Sequence, residues 1–316
     1  MAQHFLLSAQ ARTLSLKSIY KNGEAKAYKL FCDIRWHQTD GEAVCPRCGC
    51  TDSYNITTRR KFKCKGCHHQ YSVTSGTLFS SRKMDFTDLL AAICLFVNGA
   101  KGMSMLQLSR DLDCQYKTAF VLAHKLREAV AMERATIDLD GTVEIDGAYF
   151  GGHIRPANYE ENRVDRRLAI HQTGKRRVVV AMREREGRTL TFVTKAEHHG
   201  VELAKQHIDR MAVIHADEAS HWDHLHDGWQ VKRINHSEAY SHDGACTNGV
   251  ESYFSRLRRM VRGQHHHVSP RYLYQFANEA AWKEDHRRES NGDLAARIVS
   301  LGLAASVSRN WAGYWK

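Results

Sequence analysis

The sequence contains little proline and no long run of apolar residues. Proline supplies 3 of the 316 residues and 42% of the residues are hydrophobic, which excludes collagen-like and intrinsically disordered chains. The most apolar stretch, Leu89 to Val97, is shorter than the run of about 18 residues that a membrane helix needs. The N-terminus lacks the cations that precede the apolar region of a secretory signal. We therefore expect a soluble, cytosolic protein that does not bind membranes.

Acidic residues are missing from two long stretches, and the chain as a whole is basic. Lys and Arg number 46 against 35 Asp and Glu, which gives a formal charge of +11. No acidic residue occurs from Ser53 to Met84 or from Ser252 to Tyr272, although both stretches contain several cations. A basic chain can serve solubility alone, but the excess favours a polyanionic partner. We expect that partner to be nucleic acid.

The length predicts two or three domains, because one domain usually takes about 100–200 residues. From Thr142 onwards, short β-branched runs predict strands over Thr142 to Phe150, Arg177 to Arg185, Thr189 to Lys195 and Ala212 to Ala216. Helical segments alternate with the later strands, a pattern that indicates an α/β domain with a mixed sheet. Before Thr142 the chain is mostly helical around a cysteine-rich part. The predicted divisions are an N-terminal helical segment over 1–38, a ribbon over 39–80, a helical region over 81–138, the α/β domain over 139–290 and a C-terminal tail over 291–316.

Four of the nine cysteines form two CxxC pairs, Cys45 with Cys48 and Cys64 with Cys67, and fifteen residues separate the pairs. This spacing is typical of a tetrahedral zinc site, whereas disulfides are rare in a reducing cytosol. A redox CxxC or free thiols are the alternative. Because so small a ribbon has no core of its own, we predict that Zn²⁺ is structural and required for folding.

The segment from Met103 to Val130 has the length and the apolar positions of a helix-turn-helix. Its pattern predicts helices over Met103 to Leu112 and Gln115 to Met132, with a short break between them. In such a motif Gln115 and Lys117 open the second helix, where side chains reach base edges or phosphates. An ordinary helical hairpin with the same apolar core is the alternative.

Three carboxylates occur at positions suited to holding a hard cation. Asp146 lies within the predicted strand Thr142 to Phe150, and Asp217 directly follows the apolar strand Ala212 to Ala216. Glu251 lies in a later predicted helix, and spacings of three and seven residues put Asn248, Glu251 and Arg258 on one helical face. A single such acid is more often a solvated or capping residue. Two strand-borne aspartates followed by a helical glutamate favour a metal site.

The chain resembles the ISXO-type insertion-sequence transposases, which are bacterial DDE recombinases with an N-terminal zinc ribbon. The resemblance covers nearly the whole chain. The segments that carry it are HFLLSAQARTLSL, CPRCGC, CKGCHHQYSVTSGTLF, KLREAV, EIDGAYFGG, HADEASHWD, TNGVESYFSRLRR and HHHVSPRYLYQFANE. It implies a ribonuclease H-like catalytic core, two catalytic Mg²⁺ or Mn²⁺ ions, and cleavage and joining of DNA at the ends of a mobile element.

The resemblance also assigns roles to single residues. Asp146 and Asp217 match the first two acidic positions of the family, and the third falls within TNGVE. The family has Asn or Glu at that position, so Asn248 and Glu251 are both candidates, and we favour Glu251. Arg258 stands where the family often has lysine and would contact a phosphate near the scissile bond. Cys246 stands where histidine is more usual.

Cations in three parts of the chain are expected to bind double-stranded DNA, both the element ends and the target. Two element ends normally need two active sites, so we expect a homodimer or a larger assembly on DNA, associated with the bacterial nucleoid. Two alternatives stay open: a catalytically silent, domesticated transposase that acts as a DNA-binding regulator, and a nuclease that never joins strands. The expected DNA-binding residues are Lys63, Lys65, Arg82, Lys83, Gln115, Lys117, Arg256, Arg259 and Arg262.

Overall fold

The computed structural model describes residues 4–135, 138–152, 155–165, 168–171, 173–185, 187–235, 241 and 244–314. They form two compact units, one from residues 1–133 with 286–316 and the other from residues 134–285. Within the described ranges, no helix combines the length and the apolar character that crossing a membrane takes.

The first unit contains a small three-stranded sheet in the predicted ribbon. Its strands are β1 (Ser53–Ile56), β2 (Lys61–Cys64) and β3 (Gln70–Tyr71), each antiparallel to the next. Strands this short bury little surface, and the aromatic rings of Trp36, Phe62 and Tyr71 supply most of the apolar packing, with Trp36 edge-on to Phe62 at 5.5 Å. The sheet therefore depends on other stabilisation, which the cysteines provide.

Helices make up the rest of the first unit. They are α1 (Leu16–Arg35), α2 (Phe86–Asn98), α3 (Met105–Asp111), α4 (Tyr116–Arg134) and α8 (Asn291–Ala304), of which α4 ends one residue inside the second unit. The apolar helix α2 contacts both α1 and α8. Its buried side chains, which include Phe86, Leu89, Ile93 and Phe96, form the centre of this unit.

Two parts of the first unit differ from the sequence prediction. Helix α1 begins at Leu16, well inside the predicted helical segment 1–38, because Ser15 caps it: its hydroxyl accepts the backbone N–H of Ser18 at 3.1 Å. Residues 291–316, predicted as a tail, begin with helix α8, which Ser290 caps through the N–H of Asp293 at 3.2 Å. Helix α8 buries Ile298 and Val299, so its apolar face belongs to the core of this unit.

The second unit is built on a five-stranded mixed sheet with the order β6-β5-β4-β7-β8. Strands β4, β5 and β6 are antiparallel neighbours, whereas β7 and β8 run parallel to β4. The sequence predicted the first four of these strands but missed β8, whose polar sequence QVKRI gives no apolar signal. The bounds are β4 (Thr142–Phe150), β5 (Arg177–Glu184), β6 (Thr189–Thr194), β7 (Val213–Asp217) and β8 (Gln230–Ile234).

The helices of this unit are α5 (His199–His207), α6 (Asn248–Arg259) and α7 (Pro270–Asp285). Val201 and Ala204 of α5 pack with Val143 and Ile145 of β4 in one apolar cluster. Helix α6 contacts β4 and β5, and α7 contacts β5 and β6. Because side chains alternate along a strand, residues 144 and 146 point away from the face that α5 covers. The sheet is thus covered on both faces, and Asp146 in the middle of β4 lies beside Asp217, the last residue of β7.

Candidate active site

Two neighbouring parallel strands carry Asp146 and Asp217 to the same edge of the sheet. The register pairs Ile145 with Ala216, so Asp146 and Asp217 are the next residues along their two strands. The Asp146 carboxylate accepts the backbone N–H of Gly147 at 2.7 Å, and that of Asp217 accepts the N–H of Ala219 at 3.2 Å. Asp146 was predicted within a strand and Asp217 directly after one, and the sheet brings the two positions together.

Helix α6 presents the candidates for the third acidic position. Asn248 is its first residue and Glu251 lies in its first turn, and both are exposed, whereas Val250, Tyr253 and Phe254 are buried. Arg258 is also exposed, and its guanidinium lies over the ring of Phe254 at 5.6 Å. The exposed face of α6 therefore contains the three residues that the spacing placed on one side.

Glu144 fixes the start of this helix. Its buried carboxylate accepts the backbone N–H groups of Gly249 at 2.7 Å and Val250 at 3.0 Å. Thr247 precedes the helix but makes no side-chain capping bond, so a residue of β4 supplies the cap instead. Gly249 permits this approach, because a Cβ atom there would lie 2.8 Å from the carboxylate oxygen of Glu144. Strand β4 thus holds both Asp146 and the helix that carries Glu251.

The side chains of Arg185, Cys246 and His215 form a network beside the Glu144 carboxylate. Arg185 lies 3.7 Å from it, and the same guanidinium nitrogen lies 2.9 Å from the sulfur of Cys246 and 3.2 Å from Nδ1 of His215. The backbone N–H of Cys246 donates to the same His215 nitrogen at 3.2 Å. Burial, followed by the nearby charge of Arg185, lowers the pKa of His215. This network links β4, β7 and the segment before α6.

The site concentrates negative charge. Burial and then the charges of Asp217, Glu197 and Glu251 together raise the pKa of Asp146 to about 7, against the opposing effect of the Gly147 N–H. Glu251 therefore lies close enough to Asp146 for its charge to raise the pKa of Asp146. These carboxylates do not form a group as tight as the ribbon thiols.

The sequence analysis missed Glu197, which the fold brings to this site. Glu197 lies between β6 and α5, and Oε2 of its carboxylate is 3.4 Å from Nε2 of His221. Burial and then the charge of Asp217 raise the pKa of Glu197. It follows the predicted strand Thr189 to Lys195 by two residues, but nothing in that position distinguishes it from an ordinary loop residue, so the three-dimensional arrangement was needed to identify it.

A divalent cation fits the chemistry of these donors. All four acidic side chains offer carboxylate oxygens, which Mg²⁺ and Mn²⁺ prefer. The raised pKa of Asp146 shows that ionising all of them together is unfavourable unless positive charge compensates them. The residues present are therefore consistent with a metal site beside Asp146 of β4 and Asp217 at the end of β7.

The four ribbon cysteines form a second metal site. The ligand atoms of Cys45, Cys48, Cys64 and Cys67 all lie within 4.8 Å of one another. The sulfur of Cys45 is 3.6 Å from that of Cys67, and the sulfur of Cys48 is 3.5 Å from that of Cys64. The backbone N–H of Cys67 is the main cause that lowers the pKa of Cys64 to about 6, which favours the thiolate needed for binding. Four thiolates at this spacing suit tetrahedral Zn²⁺.

The cations expected to bind DNA in the first unit have different surroundings. Lys65 pairs with Asp52 at 2.8 Å, and Lys63 is half-buried on β2. Arg82 donates to the carbonyl of Met84 and its guanidinium lies 3.4 Å from the ring centroid of Phe86. Lys83, Gln115 and Lys117 are exposed, as Lys65 is; Gln115 directly precedes α4 and Lys117 lies in its first turn.

The three arginines of the second unit that were expected to bind DNA also differ in their surroundings. Arg256 forms an ion pair with the buried carboxylate of Glu284 at 2.7 Å, so its guanidinium is bound within the protein. Arg259 and Arg262 are exposed, and Arg259 donates to the hydroxyl of Ser255 at 2.6 Å. Only these two of the three arginines therefore face outwards from the end of α6.

Comparisons with known protein families agree with this arrangement. Residues 138–285 match the ISXO2-like transposase domain, and residues 22–70 match the transposase zinc-ribbon domain. No curated protein and no solved structure matches the chain significantly. The two domains define a transposase of the DDE class, and the mixed sheet fits a ribonuclease H-like core.

More particularly, the chain contains an ISXO2-like transposase domain and a transposase zinc-ribbon domain, which confirms the resemblance seen in the sequence. The four-cysteine cluster of the ribbon is a structural zinc site, and the DDE domain implies a catalytic divalent metal. These findings confirm both predicted kinds of metal, a structural Zn²⁺ in the ribbon and a divalent cation in the DDE domain.

Proposed function

We propose that this protein binds the terminal inverted repeats of an insertion sequence and catalyses metal-dependent strand cleavage and strand transfer. One observation supports the proposal: Asp146 lies next to Asp217 in the register of the sheet, and the charges of both Asp217 and Glu251 raise the pKa of Asp146. These residues lie inside the region that matches a transposase domain.

The acidic residues would hold two divalent ions, Asp146 from β4, Asp217 from β7 and Glu251 from α6. When bound, such ions activate the attacking oxygen, first of water and then of a 3′-hydroxyl, and stabilise the leaving oxygen. Glu144 would keep Glu251 in position, because it anchors the first turn of α6 through two backbone N–H groups. No side chain has to act as a covalent nucleophile in this reaction.

The exposed cations near α6 would hold the DNA backbone. Arg258 shares the exposed face of α6 with Glu251, so we assign it to a phosphate close to the scissile bond. Arg259 and Arg262 would contact phosphates further along, whereas Arg256 is held by Glu284 and would support the helix.

In the first unit, contacts between cations and phosphates would supply affinity for DNA without sequence discrimination, because phosphates carry no sequence information. The cations expected to make them are Lys63, Lys65, Arg82 and Lys83. Gln115 and Lys117 lie at the exposed start of α4, the position from which a recognition helix contacts base edges. Two element ends would need two active sites, so we infer at least a dimer on DNA.

The test is cleavage and strand transfer with labelled DNA from the flanks of the coding region. Asp217→Asn should abolish both reactions and leave DNA binding intact, because an amide supplies less charge to a metal without changing shape. Asp227→Asn is the matched control, since Asp227 lies ten residues on and is 77% exposed. Cleavage by Asp217→Asn within about tenfold of wild type, or about 1.4 kcal/mol of barrier, would refute the proposal.

The same assay decides between the alternatives. Binding of the element ends by wild-type protein with no cleavage would replace the proposal with a DNA-binding regulator. Cleavage without joined products would replace it with a nuclease. Comparison of Glu251→Gln with Asn248→Ala tests the third position, and a larger loss in Asn248→Ala would reverse our assignment.

A further inference from the structure

Glu197 approaches strand β4 at Gly147, from the face of the sheet opposite to helix α6. It lies two residues before α5, and α5 packs on the face of the sheet that Val143 and Ile145 share. Helix α6 instead contacts β4 through Glu144, which points to the other face. Carboxylates therefore reach this part of the sheet from both faces, Glu251 from one and Glu197 from the other.

Gly147 makes the approach of Glu197 possible. A Cβ atom at Gly147 would lie 2.6 Å from Cγ and 2.9 Å from Oε1 of Glu197, so any other residue at this position would displace the glutamate. Gly147 directly follows Asp146, and its N–H donates to the Asp146 carboxylate. Because Gly147 has no side chain, the carboxylates of Asp146 and Glu197 both lie close to its backbone, one on each side.

The segment that carries Glu197 is fixed by packing. The carbonyl of Glu197 accepts the N–H of Gly200 at 2.7 Å. A Cβ atom at Gly200 would lie 2.7 Å from the ring of Trp222, which is fully buried. The Glu197 side chain is 18% exposed and has His221 within 3.4 Å on one side. The glutamate is consequently held at the site by its surroundings, while part of its carboxylate stays accessible.

We propose that Glu197 is a fourth carboxylate ligand of the catalytic divalent-metal site, added to Asp146, Asp217 and Glu251. The inference rests on the proposed function, because it assumes that these three residues hold the metal. The geometry carries it: Glu197 is held against the residue next to Asp146, from a direction that no other member of the set occupies. A further oxygen donor on that side suits ions that take six or more ligands.

The test is Mn²⁺ binding by the full-length, zinc-loaded protein, followed through the electron paramagnetic resonance signal of free Mn²⁺. We expect Glu197→Gln, which keeps the shape of the side chain, to weaken Mn²⁺ binding about tenfold or more. Glu202→Gln is the matched control, because Glu202 lies on α5 and pairs with Lys205 at the surface. It should bind Mn²⁺ as wild type does.

A purely structural role for Glu197 predicts a different result. If Glu197 served only to pair with His221, then His221→Gln would weaken Mn²⁺ binding as much as Glu197→Gln does, and the proposal would be wrong. We expect His221→Gln to change the Mn²⁺ affinity less than about threefold, since histidine here is a neighbour and not one of the oxygen donors that Mn²⁺ prefers. Thermal unfolding of each variant without Mn²⁺ checks that the fold is kept.

Asp146→Asn separates this inference from the proposed function. Weak Mn²⁺ binding by Asp146→Asn together with wild-type binding by Glu197→Gln would overturn the role of Glu197 and leave the three-residue site intact. Wild-type Mn²⁺ binding by Asp146→Asn would overturn the metal site itself, and with it the proposed function.

Discussion

Replacing Asp146 by asparagine should stabilise the protein in the absence of divalent metal, although it removes a residue that we assign to catalysis. The reason is the pKa of Asp146, which rises from 3.8 to about 7 on folding, chiefly through burial. A carboxyl group whose pKa is higher in the folded protein costs stability wherever the unfolded chain is ionised. The cost therefore begins near pH 4, grows as the pH rises and is complete above about pH 7.

The size of the effect follows from the same values. At about 1.4 kcal/mol per pKa unit, a rise from 3.8 to about 7 is worth at most about 4 kcal/mol. Solvent reaches part of the Asp146 side chain, so we expect about half of this, or about 2 kcal/mol, at pH 8. For a unit of this size that corresponds to a rise in melting temperature of about 4–8 °C.

The assay is calorimetric unfolding of zinc-loaded wild type and Asp146→Asn at several pH values between 4 and 8, without added Mg²⁺. The two proteins should converge near pH 4 and separate towards pH 8. Added Mg²⁺ should then stabilise wild type, by about 2.7 kcal/mol at a concentration of 100 times Kd, and should not stabilise the variant. A variant that is less stable than wild type at pH 8, or a gain that does not change with pH, would refute the reasoning.

Three other changes test separate parts of the molecule. Cys48→Ser should lose the zinc of the ribbon and weaken binding of the element ends; unchanged zinc content on metal analysis would remove Cys48 from the ligands. Glu144→Ala removes the one carboxylate oxygen that accepts both α6 N–H groups, so it should cost about 1–3 kcal/mol in chemical denaturation, and no loss would contradict its capping role. Gln115→Ala should reduce discrimination for element ends over random duplex by about 1–3 kcal/mol in competition binding, with little change in non-specific affinity. An unaltered ratio would leave the ribbon as the part that recognises sequence.

Local patterns in the sequence determined much of this protein. The spacing of the two CxxC pairs was sufficient for the zinc site, because each pair converges within one tight turn and needs little from the rest of the chain. Strand β4 was predicted with its exact bounds, because its β-branched and apolar residues alternate with polar ones. The order of Asp146, Asp217 and TNGVE marked the transposase domain for the same reason: each lies within a short, distinctive segment.

The tertiary structure decided what depends on contacts between distant residues. Helix α8 joins the core of the first unit, and β8 pairs with β7 despite its polar sequence, since both owe their place to neighbours far along the chain. The ion pair of Arg256 with Glu284, 28 positions later, likewise depends on the fold, since no pattern in either segment predicts it. Glu197 follows a predicted strand, but nothing in the sequence linked it to Asp146 or Asp217. It reaches the site because Gly147 lacks a side chain, and a close approach of two separate segments leaves no mark in the periodicity of either.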